Sequence, residues 1–411
     1  MSDLGDPQRT VIEADWTWTG ERFESGLRLE IDGDRITRVS RQLRDPDRRF
    51  AGRALLPGFV NAHSHAFQRG LRGRGETFPE DAGSFWTWRR AMYGLVAELD
   101  RPRLHRLCLQ AFREMLAAGI TAVGEFHYLH HDDAGASDFA FDETVLAAAH
   151  EAGIRIVLLE TFYAHGGPDQ PLEGAQRRFR IDDPEVYWRQ MDRLAARLDA
   201  PTQSLGAVAH SLRAVDPGVV DELYREARRR KLVFHLHAEE QRQEVDAVVA
   251  AWGRRPVELL VERLDLGPDL TAVHCTHTPA AHLRAFARAG ANACLCPLTE
   301  ANLGDGLCDL PALLEAGGHL CLGSDSNARI SMLEEMRWLE YGQRLKSESR
   351  GVLRGPRGEV APLLLRAATE GGARALGLDA GRLEPGTLAD LVLVDLDAPA
   401  LAGWQPATLA A

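Results

Sequence analysis

ALLPGFVNAHSH, residues 54–65, is an apolar run that closes on two histidines two positions apart. Runs of the same kind recur down the chain: TAVGEFH (121–127), IRIVLLETF (154–162), LGAVAHSL (205–212), LVFHLHAE (232–239), LTAVHCTH (270–277), ANACLCPL (291–298) and LCLGSD (320–325). Each is strand-length, rich in β-branched and aliphatic residues, and most end on a polar group. Helix-like segments separate them, such as PRLHRLCLQAFREMLAAG (102–119) and DPGVVDELYREARRRK (216–231). Strands alternating with helices predict a parallel sheet, and eight of them predict a (β/α)8 TIM-like barrel over residues 57–376. The competing doubly wound sheet lacks a GxGxxG after its first strand.

Outside that alternation the chain changes character. Residues 8–56 read as short strands, with LRLEID and RITRVS flanking an Asp32-Gly33 hairpin turn. ADLVLVDLD (389–397) is one more strand-like run. Residues 1–56 and 377–411 are therefore expected to join into a small β-sandwich domain, with a C-terminal part that reads as short for such a domain.

The chain has 411 residues, is 45% hydrophobic and 26% charged, and carries a formal net charge of -12. That anionic balance argues against nucleic acid or an anionic membrane as a partner. No apolar run is long enough to span a bilayer, and MSDLGDPQRT lacks the pattern of a secretory signal. Six scattered cysteines suit buried thiols in a cytoplasmic protein. Basic charge is almost all arginine, the lysines being Lys231 and Lys346.

In a barrel of this kind, chemistry gathers at the C-terminal ends of the strands. His63 and His65 end the first run, Glu125 and His127 the second and His210 the fourth. His235 and His237 end the fifth, His274 and His277 the sixth, and Asp325 the eighth. Residues two apart on a strand share a face, so His63 and His65 can reach one ion. His237 with Glu240 supplies a third imidazole beside a carboxylate suited to carrying a proton, and His235 is the alternative ligand. Asp325 suits both metal binding and removal of a proton from water, and His274 suits a neutral imidazole that polarises a substrate. Three histidines and an aspartate at three strand ends predict a metal centre.

PGFVNAHSHAFQR, HLHAEEQ, AVHCTH and LGSDSN resemble the amidohydrolase superfamily in its deaminase-like branch. FQRGLRG, SFWTWRRAMY, GEFHYLHHD, AHSLRAV, LTEANLGDG and LEEMRWLEYGQRL resemble the formimidoylglutamate deiminases within it, and the likeness covers nearly the whole chain. The resemblance implies hydrolytic deimination of N-formimidoyl-L-glutamate to N-formyl-L-glutamate and ammonia, a step of histidine degradation. It implies His63, His65, His237 and Asp325 as metal ligands, and Glu240, His274 and Asp325 as catalytic residues. One divalent ion per chain is expected, zinc before iron or manganese. Lys231 precedes its strand and Lys346 follows the last one, so neither can bridge a second ion.

The implied substrate is a small acidic amidine, and its two carboxylates need local positive charge. Arg213 and Arg89 are the matching arginines; Gln68, Tyr128 and His210 complete the expected substrate-binding set. Glu125 and His127 are expected to orient a ligand, and Trp86 and Trp88 to pack. The family resemblance also implies a homodimer. Two other readings remain open: a deaminase or chlorohydrolase acting on a purine, pterin or triazine ring, and a barrel that binds without catalysis.

Overall fold

Parallel pairing joins β6 (Phe59–Ser64), β7 (Ile120–His127), β8 (Arg155–Phe162), β9 (Gln203–Ser211), β10 (Phe234–Ala238), β11 (Leu270–His274), β12 (Asn292–Leu295) and β13 (His319–Leu322) in strict chain order. The computed structural model describes residues 9–74, 76, 78, 85–198, 200–355 and 357–410. All eight residues of β8 are buried, as expected of a strand covered on both faces, which explains the consecutive apolar residues Ile156–Leu159 at its centre. Helices cover the strands through one face each. The helix Pro217–Arg229 buries Val220, Leu223, Tyr224 and Ala227, a 3.6-residue stripe, and keeps its arginines outside. The helix Arg101–Ala117 starts where the Asp100 carboxylate accepts the N–H of Arg103, with Pro102 in its first turn.

The barrel sheet closes at a seam rather than by a full ladder. β6 and β13 meet only at an isolated parallel bridge between Ser64 and Asp325. There the His65 N–H donates to the Asp325 carbonyl (2.9 Å) and the Asp325 N–H to the His63 carbonyl (3.0 Å). Lower in the seam, the helical turn through Gly371 and Gly372 lies directly on both strands. A Cβ at Gly371 would sit 2.1 Å from the Leu320 oxygen, and one at Gly372 would sit 2.5 Å from the Val60 oxygen. Only glycine permits that approach.

A second sheet is built from both ends of the chain, in the order β14-β5-β1-β3-β4, with β2 on β1. Its strands are β1 (Arg9–Trp18), β2 (Phe23–Glu24), β3 (Arg28–Asp32), β4 (Arg35–Ser40), β5 (Arg48–Pro57) and β14 (Leu391–Asp395). Among the described residues they form one sheet, around Ile12, Ala14, Leu29, Ile36 and Leu55. β3 and β4 make the expected hairpin, with Gly33 at φ 60° in the turn. The run 54–65 turns out to serve both sheets: Leu55 and Leu56 pair with β14, and the chain enters β6 just beyond Gly58. Trp404 packs edge-on against Trp16, with ring centres 6.2 Å apart.

Candidate metal centre

The ends of β6, β10 and β13 converge. Nε2 of His63 lies 3.2 Å from Nε2 of His237 and 3.3 Å from Oδ1 of Asp325. Nε2 of His65 lies 3.2 Å from the same Asp325 oxygen. All four side chains are buried, and their ligand atoms lie within 4.8 Å of one another.

The other ring nitrogens fix which atoms face inward. Nδ1 of His65 donates to the Phe126 carbonyl (2.8 Å), and Nδ1 of His237 donates to the His210 carbonyl (3.1 Å). A carbonyl accepts only, so both Nδ1 atoms carry a proton, and in a neutral ring Nε2 then presents a lone pair. Burial holds His63 down at about 3 and His237 well below its ordinary value, so these rings are neutral. Neutral lone pairs therefore converge on a carboxylate oxygen. Such an arrangement repels itself unless a cation sits among the four atoms, and this donor set fits a divalent ion.

The Asp325 end of the centre is braced by polar groups that the strand pattern did not single out. Asp325 has φ 45° and Asn327 φ 57°. The Asn327 amide donates to Ser64 Oγ (3.0 Å), and its oxygen accepts from Ser324 Oγ (2.6 Å). The Ser324 N–H donates to Asn61 Oδ1 (3.0 Å), tying the loop back to β6. The signal was present in the sequence as asparagines and serines interleaved with the ligands, in NAHSH and GSDSN.

His274 and Glu240 stand beside the ligands. Nε2 of His274 is 3.9 Å from Glu240 Oε1 and 4.0 Å from Asp325 Oδ2, and its Nδ1 is 3.3 Å from Glu300 Oε1. Burial disfavours charge on this ring, but Glu240, Glu300 and Asp325 outweigh it and push its pKa up to about 10. These carboxylates favour the protonated ring, where the sequence suggested a neutral imidazole; Glu300, 26 positions away in sequence, was not foreseen. Burial raises the Glu240 carboxyl, with the His274 charge acting against it. Next to it, Glu239 adopts φ 57° and pins the turn by accepting from Arg255 Nη2 (2.7 Å) and the Val257 N–H (3.1 Å).

The cavity in front of these groups carries both signs of charge: Glu240, Glu244, Asp325, Arg89 and Arg213 line it together with His274. Arg213 donates to the Gly166 carbonyl (2.7 Å) and to the Tyr163 hydroxyl (3.3 Å). Although burial opposes it, Arg213 and Arg89 together draw the Tyr163 phenol below its ordinary pKa, so this hydroxyl links the two guanidinium groups. Arg89 also lies over the Tyr93 ring, 5.3 Å from its centre. The Gln68 amide donates to the Tyr128 hydroxyl (2.7 Å), while Gln68 Oε1 is buried without a hydrogen-bond donor. His210, Phe85 and Trp88 also line this cavity; the Trp86 side chain lies outside the described residues.

Residues 54–409 match the family model described as "Amidohydrolase family". The chain belongs to the amidohydrolase family. It is 42% identical over 403 residues to a formimidoylglutamate deiminase of Pseudomonas aeruginosa, covering 96% of this chain and 88% of that one. Among solved structures it resembles an amidohydrolase from Brucella melitensis, with a TM-score of 0.89 and 35% identity over 97% of this chain and 89% of the other. It also resembles a zinc-bound adenosine deaminase from Xanthomonas campestris, with a TM-score of 0.80 and 26% identity over 96% and 86% of the two chains.

Several expected residues of this amidohydrolase take other places. His235 is not in the ligand cluster: its Nε2 donates to the Ala375 carbonyl (2.8 Å). Glu125 accepts the Ala66 N–H (2.6 Å) and so fixes the turn directly after His65; burial raises its carboxyl to about 7. His127 orients no ligand. Its Nε2 donates to Asp142 Oδ1 (3.0 Å), which also accepts from His130 Nδ1 (3.0 Å), an arrangement that anchors the helix Ala140–Ala152. Lys231 lies in an exposed turn, and Lys346 donates to the Leu307 carbonyl; neither lines the cavity. All six cysteines are buried thiols. Among the described residues, no helix is long and apolar enough to cross a membrane.

Proposed function

We infer that this amidohydrolase converts N-formimidoyl-L-glutamate and water to N-formyl-L-glutamate and ammonia. The observation that carries the reading is that one cavity holds both the carboxylates beside the metal centre and two guanidinium groups joined through Tyr163. The substrate has the matching form: one cationic amidine and two carboxylates. A purine, pterin or triazine ring carries no carboxylate for these arginines to bind. The 42% identity to a protein named for this substrate supports the same reading.

A divalent ion at His63, His65, His237 and Asp325, zinc by its affinity for imidazole and carboxylate, supplies an activated water at neutral pH. The chain's own groups do the rest. Asp325 turns Oδ1 to the histidines and Oδ2 toward His274, so Oδ2 is the oxygen placed to take a proton from the water. Water adds to the amidine carbon, and the C–N bond to the terminal nitrogen then breaks. Glu240 carries the proton to that departing nitrogen, and the His274 imidazolium stabilises charge between Glu240 and Asp325. Arg89 and Arg213 bind the carboxylates through charge-assisted bonds. The unpartnered Gln68 Oε1 accepts a substrate N–H. The buried thiols suit a reducing, cytoplasmic setting.

The test is ammonia release from N-formimidoyl-L-glutamate, with bound metal counted in the same sample. Release with about one ion per chain, as a mononuclear site requires, supports the reading. A metal-loaded protein that deaminates guanine or adenosine instead would overturn it.

A further inference from the structure

Beside the reaction cavity lies a second one, and the two share a wall. Arg89 and Tyr93 line both. Gly166 belongs to the same partition: it lines the second cavity, while its carbonyl accepts from Arg213 (2.7 Å), which lines the first. The partition is braced from the outer side. The Gln176 amide donates to the Tyr93 hydroxyl (2.8 Å), and Gln176 Oε1 accepts the Glu173 N–H (3.1 Å). The rim of the second cavity faces solvent, with Arg90, Gln170, Pro171 and Glu173 all exposed.

The two cavities differ in charge. The first sets Arg89 and Arg213 against Glu240, Glu244 and Asp325. The second sets Arg89 and Arg90 against Glu173 alone, a local excess of positive charge in a chain whose formal net charge is -12. An anionic ligand nearing an anionic protein is drawn to such a patch, because a concave surface of opposite sign focuses the field. Arg90 follows Arg89 on the helix Phe85–Glu98, so the outer guanidinium adjoins one that already faces the reaction cavity. We propose that the second cavity is the entry site for the substrate. Arg90 and Arg89 hold a carboxylate there, and Arg89 hands it on to Arg213 as the molecule passes Tyr93. The proposal rests on the dicarboxylate substrate inferred above, since a neutral ring would gain nothing from this patch.

Stopped-flow tryptophan fluorescence, to which Trp88 in the reaction cavity contributes, follows association of N-formyl-L-glutamate with the full-length, metal-loaded protein. Ammonia release from N-formimidoyl-L-glutamate is measured on the same preparations. Wild-type association should slow as salt is added. Arg90→Gln should slow it about 10-fold at low salt, the low end of the range for electrostatic steering, and flatten its salt dependence. Arg90→Lys keeps the charge and should retain most of the rate. Gln170→Trp narrows the mouth of the second cavity without changing its charge and should slow association at every salt concentration. Bound metal and melting temperature, equal to wild type in each variant, keep folding out of the comparison. Association at the wild-type rate in either Arg90→Gln or Gln170→Trp would overturn the entry route while leaving the reaction intact. A metal-loaded wild type that releases no ammonia would overturn the substrate reading, and the route with it.

Discussion

Oδ1 of Asp325 lies 3.2 Å from Nε2 of His65, and with Nδ1 of that ring turned to the Phe126 carbonyl a neutral imidazole would set an acceptor against an acceptor here. Removing the cation that reconciles them should therefore cost stability as well as activity. Chelator-treated protein should melt at a lower temperature than the loaded form, and zinc should restore both the melting temperature and turnover. Identical melting curves for the two forms would contradict the charge argument.

Asp325→Ala removes a ligand and the proposed proton acceptor together. Turnover should fall by at least about 10³-fold, near the middle of the range for loss of general-base catalysis. Measuring kcat alongside bound metal separates the two roles: loss of turnover with metal retained isolates the acceptor.

Arg213→Met should act on binding. Loss of a charge-assisted bond costs about 1.5–3 kcal/mol, which is about 10- to 100-fold in kcat/KM, expressed mainly in KM. Tyr163→Phe should follow with a smaller effect of the same kind, since it removes the hydroxyl that holds Arg213 in place. A fall in kcat at unchanged KM in either variant would move these residues from binding to chemistry.

Asn327→Leu should destabilise the fold by about 2 kcal/mol, because Ser64 and Ser324 lose their buried partner. It should also weaken metal binding about 10- to 100-fold, as loss of a group that orients a ligand does. Urea unfolding and metal titration read the two effects separately.

Burial, reinforced by the charge on Glu240, raises the Glu244 carboxyl from 4.5 to about 7. A carboxyl raised on folding favours the folded state at low pH, and that contribution disappears as pH climbs from 4.5 through 7. The difference corresponds to about 3 kcal/mol. Glu244→Gln removes the titration, keeps an acceptor for the nearer Glu240 N–H and should flatten unfolding free energy across that window. An unaltered slope would mean Glu244 is already ionised at pH 5.

The barrel was legible because most strands announced themselves twice, by an apolar run and by a polar group at the C-terminal end. His63, His65 and Asp325 were therefore readable from position. Choosing between His235 and His237 was harder, since residues two apart share a face. What separates them is depth along β10: His235 reaches the Ala375 carbonyl, and His237 reaches the cluster. The acidic surroundings of His274 were legible only in part: Glu240 and Asp325 were expected beside it, but Glu300 is brought near by the fold alone. His127 misled for a related reason. It ends a strand like the ligands, yet its ring meets Asp142 and the helix behind it. Periodicity finds a strand end, but does not say which way a side chain leaves it.

The seam between β6 and β13 bears on how the enzyme is made. His63 and His65 stand at the end of the first barrel strand, His237 at the fifth and Asp325 beyond the last, so nearly the whole chain must leave the ribosome before the complete four-residue site exists. Full coordination would therefore be a late event in biosynthesis, and a chain cut short before Asp325 would keep three imidazoles but lack the carboxylate.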